Sequence, residues 1–332
     1  MKKVSLLMVL LCITTLVFAQ NSTQTALLKH GDEMTTFYGA DAFINALTAA
    51  APTGDIITLS SGTFNASDLG KAITLRGVGC VSDDELNMLP TIIAGDFQTW
   101  NSHAPAVLTV EGIFFDGVIT VNGQYAPVFI RCNINEIKWG SEGSSAGMYD
   151  AEFINCRIRW FREDNFHNTT FRNCAVWDCR SEITNQPTNT IQAYNSYIWL
   201  NSGQYNLSVN NSIIGGAGMY GNSVAYNCIS WGSIFNECSH HDCWVFDYIT
   251  DVFETFDGVY YHYVWETEPL ILKSEIANQC FGLDGTQVGI NGGNMPYSAR
   301  PTYMTPYRTT VGQHSTPDGK LNIHIEVIDD NK

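Results

Sequence analysis

A six-residue pattern of apolar and polar positions recurs through the middle of the chain: apolar, any, Asn, small, any, aliphatic. Phe153–Ile158 and Phe171–Val176 are its clearest copies. The small position is the easiest to follow, and it falls at residues 132, 156, 174, 196, 212 and 228. The copies are therefore 16 to 24 residues apart, and a recurring unit of this length is typical of solenoid proteins.

The spacing inside the unit predicts a bend at the Asn. Side chains of a regular strand alternate with a period of two, but here the apolar and small positions are three apart. One residue must turn the chain so that both flanks face inward, and Asn enters the left-handed region more readily than most residues with a Cβ. Its amide can also bond to the Asn of the next coil, as in stacked parallel strands. The predicted bend column is Asn155, Asn173, Asn195, Asn211 and Asn227.

Cys and Ser exchange in the small position, which indicates a column of small buried side chains. Free Cys often behaves in this way, so Cys132, Cys156, Cys174 and Cys228 are interpreted as thiols and not as disulfides. Cys12 lies in the N-terminal leader described below, which leaves nine of the ten cysteines. An odd number cannot pair completely.

The units are too short for a βαβ crossover, which predicts an all-β stack of short parallel strands. Asp41–Ala50 has the pattern of a short amphipathic helix that Pro52 ends. Strand-like segments follow at Asp55–Leu59, Gly62–Phe64 and Ile73–Gly79. This order of helix, Gly-Asp-x-Ile-x-Leu-x-x-Gly-Thr-aromatic and Ile-Thr-Leu-x-Gly resembles the N-terminal entry of the pectin lyase-like superfamily.

The resemblance covers roughly residues 40 to 265 and implies a right-handed parallel β-helix with an N-terminal capping helix. The superfamily includes lyases, hydrolases, esterases and proteins without known catalysis, so the resemblance specifies the fold better than the function. The Gly-rich segment and strand at the C-terminal end also resemble the ends of secreted β-helix proteins of Bacteroidetes-type bacteria.

The chain divides into four predicted segments. Residues 1–19 read as a signal peptide, with Lys2 and Lys3 before an apolar stretch and cleavage after Ala19, which predicts a secreted, periplasmic or cell-surface protein. Residues 20–38 are a lead-in and residues 39–293 the β-helix. Residues 294–332 are an extended tail whose last strand is the alternating segment Leu321–Val327.

The net charge of the chain disfavours anionic partners. The chain has 17 basic and 33 acidic residues and a formal net charge of −16. Loss of Lys2 and Lys3 with the leader would take this charge to −18. Such a field repels nucleic acid and anionic membranes, and beyond the leader no apolar stretch has the length of a membrane helix.

The register predicts two outward columns beside the bend. The first column contains Asn133, Arg157, Ala175, Tyr197, Ile213 and Ile229. The second contains Asn135, Arg159, Trp177, Trp199, Gly215 and Trp231. Trp177 and Trp199 are expected to stack, and indoles with arginines form a plausible platform for a polysaccharide or surface glycan. The ligand-binding candidates are Trp177, Trp199, Trp231, Tyr197, Arg157 and Arg159. The alternative is that a loop or the tail covers this wall and makes the tryptophans a second core.

Acid and base groups lie in and beside the insertion after Trp160. The catalytic candidates are Arg157, Arg159, Glu163, Asp164 and His167. In a lyase, an arginine would act as the base and Glu163 and Asp164 would hold Ca²⁺. The alternative is a solvated turn. The Gly-His-Gly and Arg-x-Lys motifs of polygalacturonase-like hydrolases and the Arg-x-x-Pro-x-x-Arg segment of pectate lyases are absent from the sequence.

The segment Glu237–Cys243 concentrates residue types that bind zinc. Its metal candidates are His240, His241 and Asp242, although their spacing matches no common structural zinc site. A disulfide between Cys238 and Cys243, or a polar turn without a ligand, is the alternative.

The missing catalytic motifs favour a non-catalytic secreted or surface β-helix that binds glycan or acts in adhesion through one outer face. The alternative is a divergent polysaccharide lyase or glycoside hydrolase, and a structural surface-layer role is a third. No cofactor is expected, except Ca²⁺ in the case of a lyase.

Overall fold

The chain forms a parallel β-solenoid of about 9 turns, about 51% strand and 6% helix, as the repeat predicted. This architecture comes from a computed structural model. The residues that it describes are 24–82, 88–101, 103–140, 147–162, 166–180, 190–202, 206–254, 265–267, 269–299 and, for the backbone, 305–315 and 321–328. The predicted signal peptide, residues 1–19, lies outside these ranges and remains a prediction.

A hairpin and a helix close the N-terminal end of the solenoid. Strands β1 (Thr25–His30) and β2 (Glu33–Tyr38) are antiparallel, and β1 pairs with the first solenoid strand, with Leu28 opposite Ile57. The following helix α1 (Ala42–Ala49) confirms the predicted amphipathic helix. Its buried side chains are Ala42, Phe43, Ala46 and Leu47, so its apolar face covers the core of the first coil. The hairpin was not predicted within the lead-in.

The solenoid itself is built from short strands. In its first half these are β3 (Thr53–Leu59), β4 (Gly62–Asn65), β5 (Ala72–Arg76), β6 (Thr91–Ala94), β7 (Phe97–Thr99), β8 (Thr109–Glu111), β9 (Phe114–Val121), β10 (Gln124–Tyr125), β11 (Val128–Ile130), β12 (Asn133–Trp139) and β13 (Met148–Tyr149). In its second half these are β14 (Glu152–Ile154), β15 (Arg157–Arg162), β16 (Phe166–His167), β17 (Thr169–Arg172), β18 (Ala175–Arg180), β19 (Ile191–Tyr194), β20 (Tyr197–Leu200), β21 (Leu207–Asn210), β22 (Ile213–Gly216), β23 (Tyr220–Tyr226), β24 (Ile229–Trp231), β25 (Glu237–His241) and β26 (Trp244–Phe246).

Three sheets run along the solenoid. Sheet 1 has the order β2-β1-β3-β5-β8-β11-β14-β17-β19-β21-β23-β25, sheet 2 the order β4-β6-β9-β12-β15-β18-β20-β22-β24-β26 with β7 beside β9, and sheet 3 the order β10-β13-β16. A coil passes from sheet 1 through the bend to sheet 2, and in the middle of the solenoid it continues to sheet 3. After β26 come a short 3-10 helix (Ile249–Asp251), helix α2 (Ser274–Ala277) and an antiparallel hairpin of β27 (Thr305–Ser315) and β28 (Leu321–Ile328). Strand β28 contains the predicted final strand.

The bend column is confirmed. Its members have φ between 48° and 53°, which is the left-handed region that Asn tolerates better than most residues. They are Arg131, Asn155, Asn173, Asn195, Asn211, Asn227 and, one coil beyond the predicted copies, Asp242. A second left-handed column at Ala126, Asp150 and Asn168 follows the strands of sheet 3.

The core stacks like residues on like. Phe153 is fully buried, and its ring lies 5.1 Å from that of Phe129 and 5.3 Å from that of Phe171, on the two neighbouring coils. Parallel pairing in register produces this column, because equivalent inward positions repeat one strand spacing apart.

The small column does more than fill space. The Ser196 hydroxyl accepts a hydrogen bond from the backbone N–H of Cys174 (3.1 Å) and donates one to the carbonyl of Tyr194 (2.8 Å). The Cys174 thiol does the same with the N–H of Cys156 (3.3 Å) and the carbonyl of Arg172 (3.3 Å). Cys132, Cys156, Cys174, Cys228 and Cys243 are thiols. The position therefore requires a small side chain that both donates and accepts, and Cys and Ser meet that requirement.

This pairing predicts that Ser196→Ala lowers the free energy of unfolding more than Ser196→Cys does. Alanine leaves the buried N–H of Cys174 without its acceptor, which costs about 1–3 kcal/mol, whereas a thiol replaces both bonds as it does in neighbouring coils. We expect the cysteine variant to lose less than about 1 kcal/mol. Urea unfolding of the two variants measures the difference. Equal stability of the two variants would show that the column needs only small volume.

Candidate functional site

The outer face of sheet 2, where the sequence places the glycan platform, is covered by the chain itself. The covering segment comprises residues 249–254, 265–267 and 269–297. Its apolar side chains form a second core with the sheet, whose buried members are Ala175, Tyr197, Ile213, Ile229, Trp231, Ile249, Val252, Phe253, Leu270, Leu272, Ile276, Cys280, Val288 and Ile290. The covered alternative is thus the one that the structure shows for this wall.

The predicted ligand-binding aromatics take part in this second core. Tyr197 has no exposed surface and Trp231 is 9% exposed, while Trp177 and Trp199 are partly buried against the same cluster. The Trp177 ring lies 5.0 Å from that of Tyr197, and Trp199 lies 5.9 Å from Trp231. Trp199 and Trp231 meet across Gly215, where a Cβ would stand 2.2 Å from the Trp231 ring. A glycine is therefore needed between these indoles.

Asn side chains of the bend column fix part of the covering segment. The Asn173 amide donates to the carbonyls of Ile290 (3.0 Å) and Gly292 (2.7 Å). The side-chain oxygen of Asn211 (Oδ1) accepts from the backbone N–H of Leu283 (3.0 Å). These two amides bond to the covering segment, where the sequence led us to expect bonds between asparagines.

The two predicted arginines differ in environment. Arg157 is 3% exposed; its guanidinium donates to the carbonyl of Trp265 (3.0 Å) and lies 4.5 Å from the ring centre of Tyr297. Burial raises the pKa of the Tyr297 hydroxyl, which stays protonated beside the cation. Arg159 is partly exposed, stacks on Trp160 (4.0 Å) and donates to the Asn135 side chain (3.3 Å).

The catalytic candidates that the structure describes do not converge. Arg157 lies beneath the covering segment, Arg159 lies on the outer side of sheet 2, and His167 lies in β16 of sheet 3. Glu163 and Asp164, the proposed Ca²⁺ ligands, lie outside the described residues.

The zinc-like segment is a further copy of the repeat. Asp242 supplies the left-handed bend, and Cys243 occupies the small position, where its sulfur accepts from the N–H of Cys228 (3.4 Å). Hydrogen bonding with Cys228 lowers the pKa of the Cys243 thiol to about 7, against the effect of partial burial. The ring of His240 stacks on Phe235 and that of His241 on Tyr226. Cys238 and Cys243 are thiols, and no group of three potential metal ligands occurs among the described residues.

An open cleft lies instead beside sheet 3. Its volume is about 360 Å³, and its lining consists of Trp100, Asn101, Asn122, Gly123, Gln124, Tyr125 and Tyr149. The three aromatic side chains are exposed by 37% (Trp100), 44% (Tyr125) and 37% (Tyr149). We call this site the aromatic cleft. The sequence pattern did not reveal this cleft, although the neighbouring His167 was a catalytic candidate.

Pairing in register sets the aromatic rings of the cleft. Tyr125 pairs with Tyr149, and Tyr149 pairs with His167. The His167 ring covers one face of Tyr149, with centres 4.6 Å apart and planes at 16°. The other face of Tyr149 is therefore turned toward Tyr125 and the cleft. On the far side the Trp100 indole lies against Gly70, where a Cβ would stand 2.4 Å from it.

The lining of the cleft also contains a buried amide. Gln124 is 2% exposed, and its Nε2 donates to the Thr99 hydroxyl, which donates to the carbonyl of Leu69 (3.1 Å). This chain of bonds fixes the orientation of the amide. Its Oε1 accepts no hydrogen bond from any described residue. This oxygen is itself buried, so it does not reach the surface of the cleft.

The lining residues determine what the cleft can bind. They are aromatic or carry amides, and none of them is charged. Aromatic faces with a few fixed polar groups match the alternating C–H and O–H surfaces of a neutral saccharide. A carboxylated sugar would find no cation in this lining.

No helix in the described part of the chain is both long and apolar enough to cross a membrane. Comparison with protein-family models, curated proteins and solved structures finds no match for this chain. The pectin lyase-like resemblance rests on the N-terminal motifs alone, and the structure identifies the chain as a parallel β-solenoid of about 9 turns.

Proposed function

We propose that this chain is an exported, non-catalytic β-helix of the pectin lyase-like type that binds a neutral glycan in the aromatic cleft. The observation that carries the proposal is the combination of three exposed aromatic rings with an uncharged, amide-containing lining in one cleft. The leader pattern of residues 1–19 supports export. Because the outer face of sheet 2 is covered, we place the glycan contact in the aromatic cleft beside sheet 3.

The uncharged side chains in the described lining of the cleft favour binding over chemistry. General acid–base catalysis needs a titratable group within hydrogen-bond reach of the reacting atom. The described lining has only tyrosine hydroxyls, an indole and amides. Such groups orient a saccharide and are poor at cleaving it.

Substitution in the cleft tests the proposal. On an array of neutral and acidic glycans, we expect the wild-type protein to bind neutral chains. Trp100→Ala and Tyr149→Ala should each weaken cleft binding about tenfold, which is the loss of about 1.4 kcal/mol. Isothermal titration calorimetry with the best neutral oligosaccharide measures the change.

The matched control is Tyr38→Ala, which removes a tyrosine that is 67% exposed on β2, outside the cleft. It should leave binding unchanged. Wild-type affinity in both cleft variants, or preferential binding of uronates, would contradict the proposal. Release of unsaturated products from polyuronates, with or without Ca²⁺, would favour the lyase alternative.

A further inference from the structure

A second aromatic feature lies on the outer face of sheet 1. Pairing in register places one outward residue on each of five successive coils, in the order Arg172, Tyr194, Asn210, Tyr226 and His241. Their chain neighbours Phe171, Ala193, Val209 and Ala225 are fully buried, and side chains alternate across a strand. The row therefore faces outward, and Tyr226 is 38% exposed.

Two stacked pairs occupy the ends of this row. The Arg172 guanidinium lies 4.8 Å from the ring centre of Tyr194. At the other end, the Tyr226 and His241 rings are 4.9 Å apart with planes at 13°. In both pairs the partner lies on the side away from Asn210. One face of Tyr194 and one face of Tyr226 are thus turned toward each other, with only the shorter Asn210 between them.

The width of this slot follows from the coil spacing. Tyr194 and Tyr226 are two coils apart, which separates their rings by about 9.6 Å. That distance is larger than a stack of three flat aromatic rings requires and suits a puckered sugar ring with a C–H face against each tyrosine. Asn210 at the base is shorter than either tyrosine, so it leaves the space between the two rings open. The bond from the Tyr194 hydroxyl to Gln192 (2.9 Å) holds one wall in place.

Local charge selects a neutral ligand. The Arg172 guanidinium donates to the Glu152 carboxylate at 2.7 Å, so the cation beside the slot is already paired. To use this cation, a uronate would have to share it with Glu152, and it would approach a protein with a formal net charge of −16. A neutral pyranose has neither cost.

The geometry points to a second saccharide site, in which the slot between Tyr194 and Tyr226 holds one pyranose ring of a neutral glycan. The site shares its ligand class with the aromatic cleft, but it uses a different sheet and none of the same residues. Either site can therefore fail while the other stands.

The test is to fill the slot. Asn210→Tyr places a ring between the two tyrosines, and it lies on an exposed face, so the fold should persist. Asn210→Ala is the matched control, because it leaves the slot open. We titrate each variant, and each again with Trp100→Ala, with cellohexaose, xylohexaose and mannohexaose by calorimetry, after checking the fold by circular dichroism.

The expected result is two sites per chain in the wild-type protein for at least one of these hexasaccharides. Asn210→Tyr should remove one site, and Asn210→Ala should change the affinity of that site less than threefold. Each double variant with Trp100→Ala should in addition bind about tenfold more weakly at the cleft. Tyr226→Ala should weaken the slot about tenfold. One site that responds only to Trp100→Ala would overturn the slot and support the cleft. One site that responds only to Asn210→Tyr would support the slot and overturn the cleft. No binding by the wild-type protein would overturn both.

Discussion

Asn173→Ala is expected to lower the free energy of unfolding by about 3 kcal/mol or more. Asn173 has φ of 50° and is 4% exposed. Alanine in the left-handed region costs about 1–2 kcal/mol. The substitution also removes the donor to the carbonyls of Ile290 and Gly292. The Ile290 carbonyl keeps its bond from the Tyr297 N–H (2.8 Å), so the larger loss is at the buried Gly292 carbonyl, where an unpaired group costs about 1–3 kcal/mol. Urea unfolding followed by circular dichroism measures the loss.

Asn173→Gly separates the two causes. Glycine adopts positive φ without strain, so this variant loses only the hydrogen bonds and should lie between the wild type and Asn173→Ala. Equal losses for the two variants would remove backbone strain from the explanation. Wild-type stability in both would show that the covering segment does not depend on this asparagine.

The bend and small columns could be predicted because they depend on neighbouring residues in the chain. An apolar and a small residue three positions apart require a bend, and Asn is a residue that bends. The copy at Asp242 and Cys243 was not recognised as part of the repeat for a physical reason. His240 pairs with Ala225 in the inward column, yet it is exposed, because no described strand follows β25 in sheet 1. At the end of a solenoid an inward position need not be apolar, so this copy lacks the apolar residue with which the repeat begins.

The sequence contains one signal for the aromatic cleft. Tyr125, Tyr149 and His167 are separated by 24 and 18 residues, as are Cys132, Cys156 and Cys174. Equal separations indicate that both sets keep the same place in the coil. The strands of sheet 3 have only two residues each, too few to show alternation. The register of the small column was therefore the only available guide to this row.

The cover over sheet 2 could not be derived from local pattern. The Asn173 amide and the carbonyl of Gly292 are 119 residues apart in the chain, and a period of 16 to 24 residues carries no information about that distance. The sequence contained one hint, the apolar Ile213 and Ile229 on an outward column. An outward column with apolar aliphatic side chains favours a covering element, and both residues belong to the second core.

The covered wall has a direct consequence for Tyr197. Its ring is fully buried and lies 6.0 Å from that of Phe253 in the covering segment. Tyr197→Ala should therefore destabilise the protein by about 3–5 kcal/mol, as expected for a large aromatic side chain removed from a packed core. Tyr197→Phe keeps the packing and should lose less than about 1.5 kcal/mol.

The matched comparison is Tyr125→Ala, which removes a tyrosine that is 44% exposed in the aromatic cleft. Its removal should change stability by less than about 0.5 kcal/mol and weaken neutral glycan binding. Tyr197→Phe should bind glycan like the wild type, because its ring does not contact the ligand. An open glycan platform on sheet 2 requires the reverse assignment, in which Tyr197→Ala abolishes binding and barely affects unfolding. Unfolding and binding measured on the same three variants thus decide between sheet 2 and the aromatic cleft as the glycan site, because burial and ligand contact make opposite demands on each tyrosine.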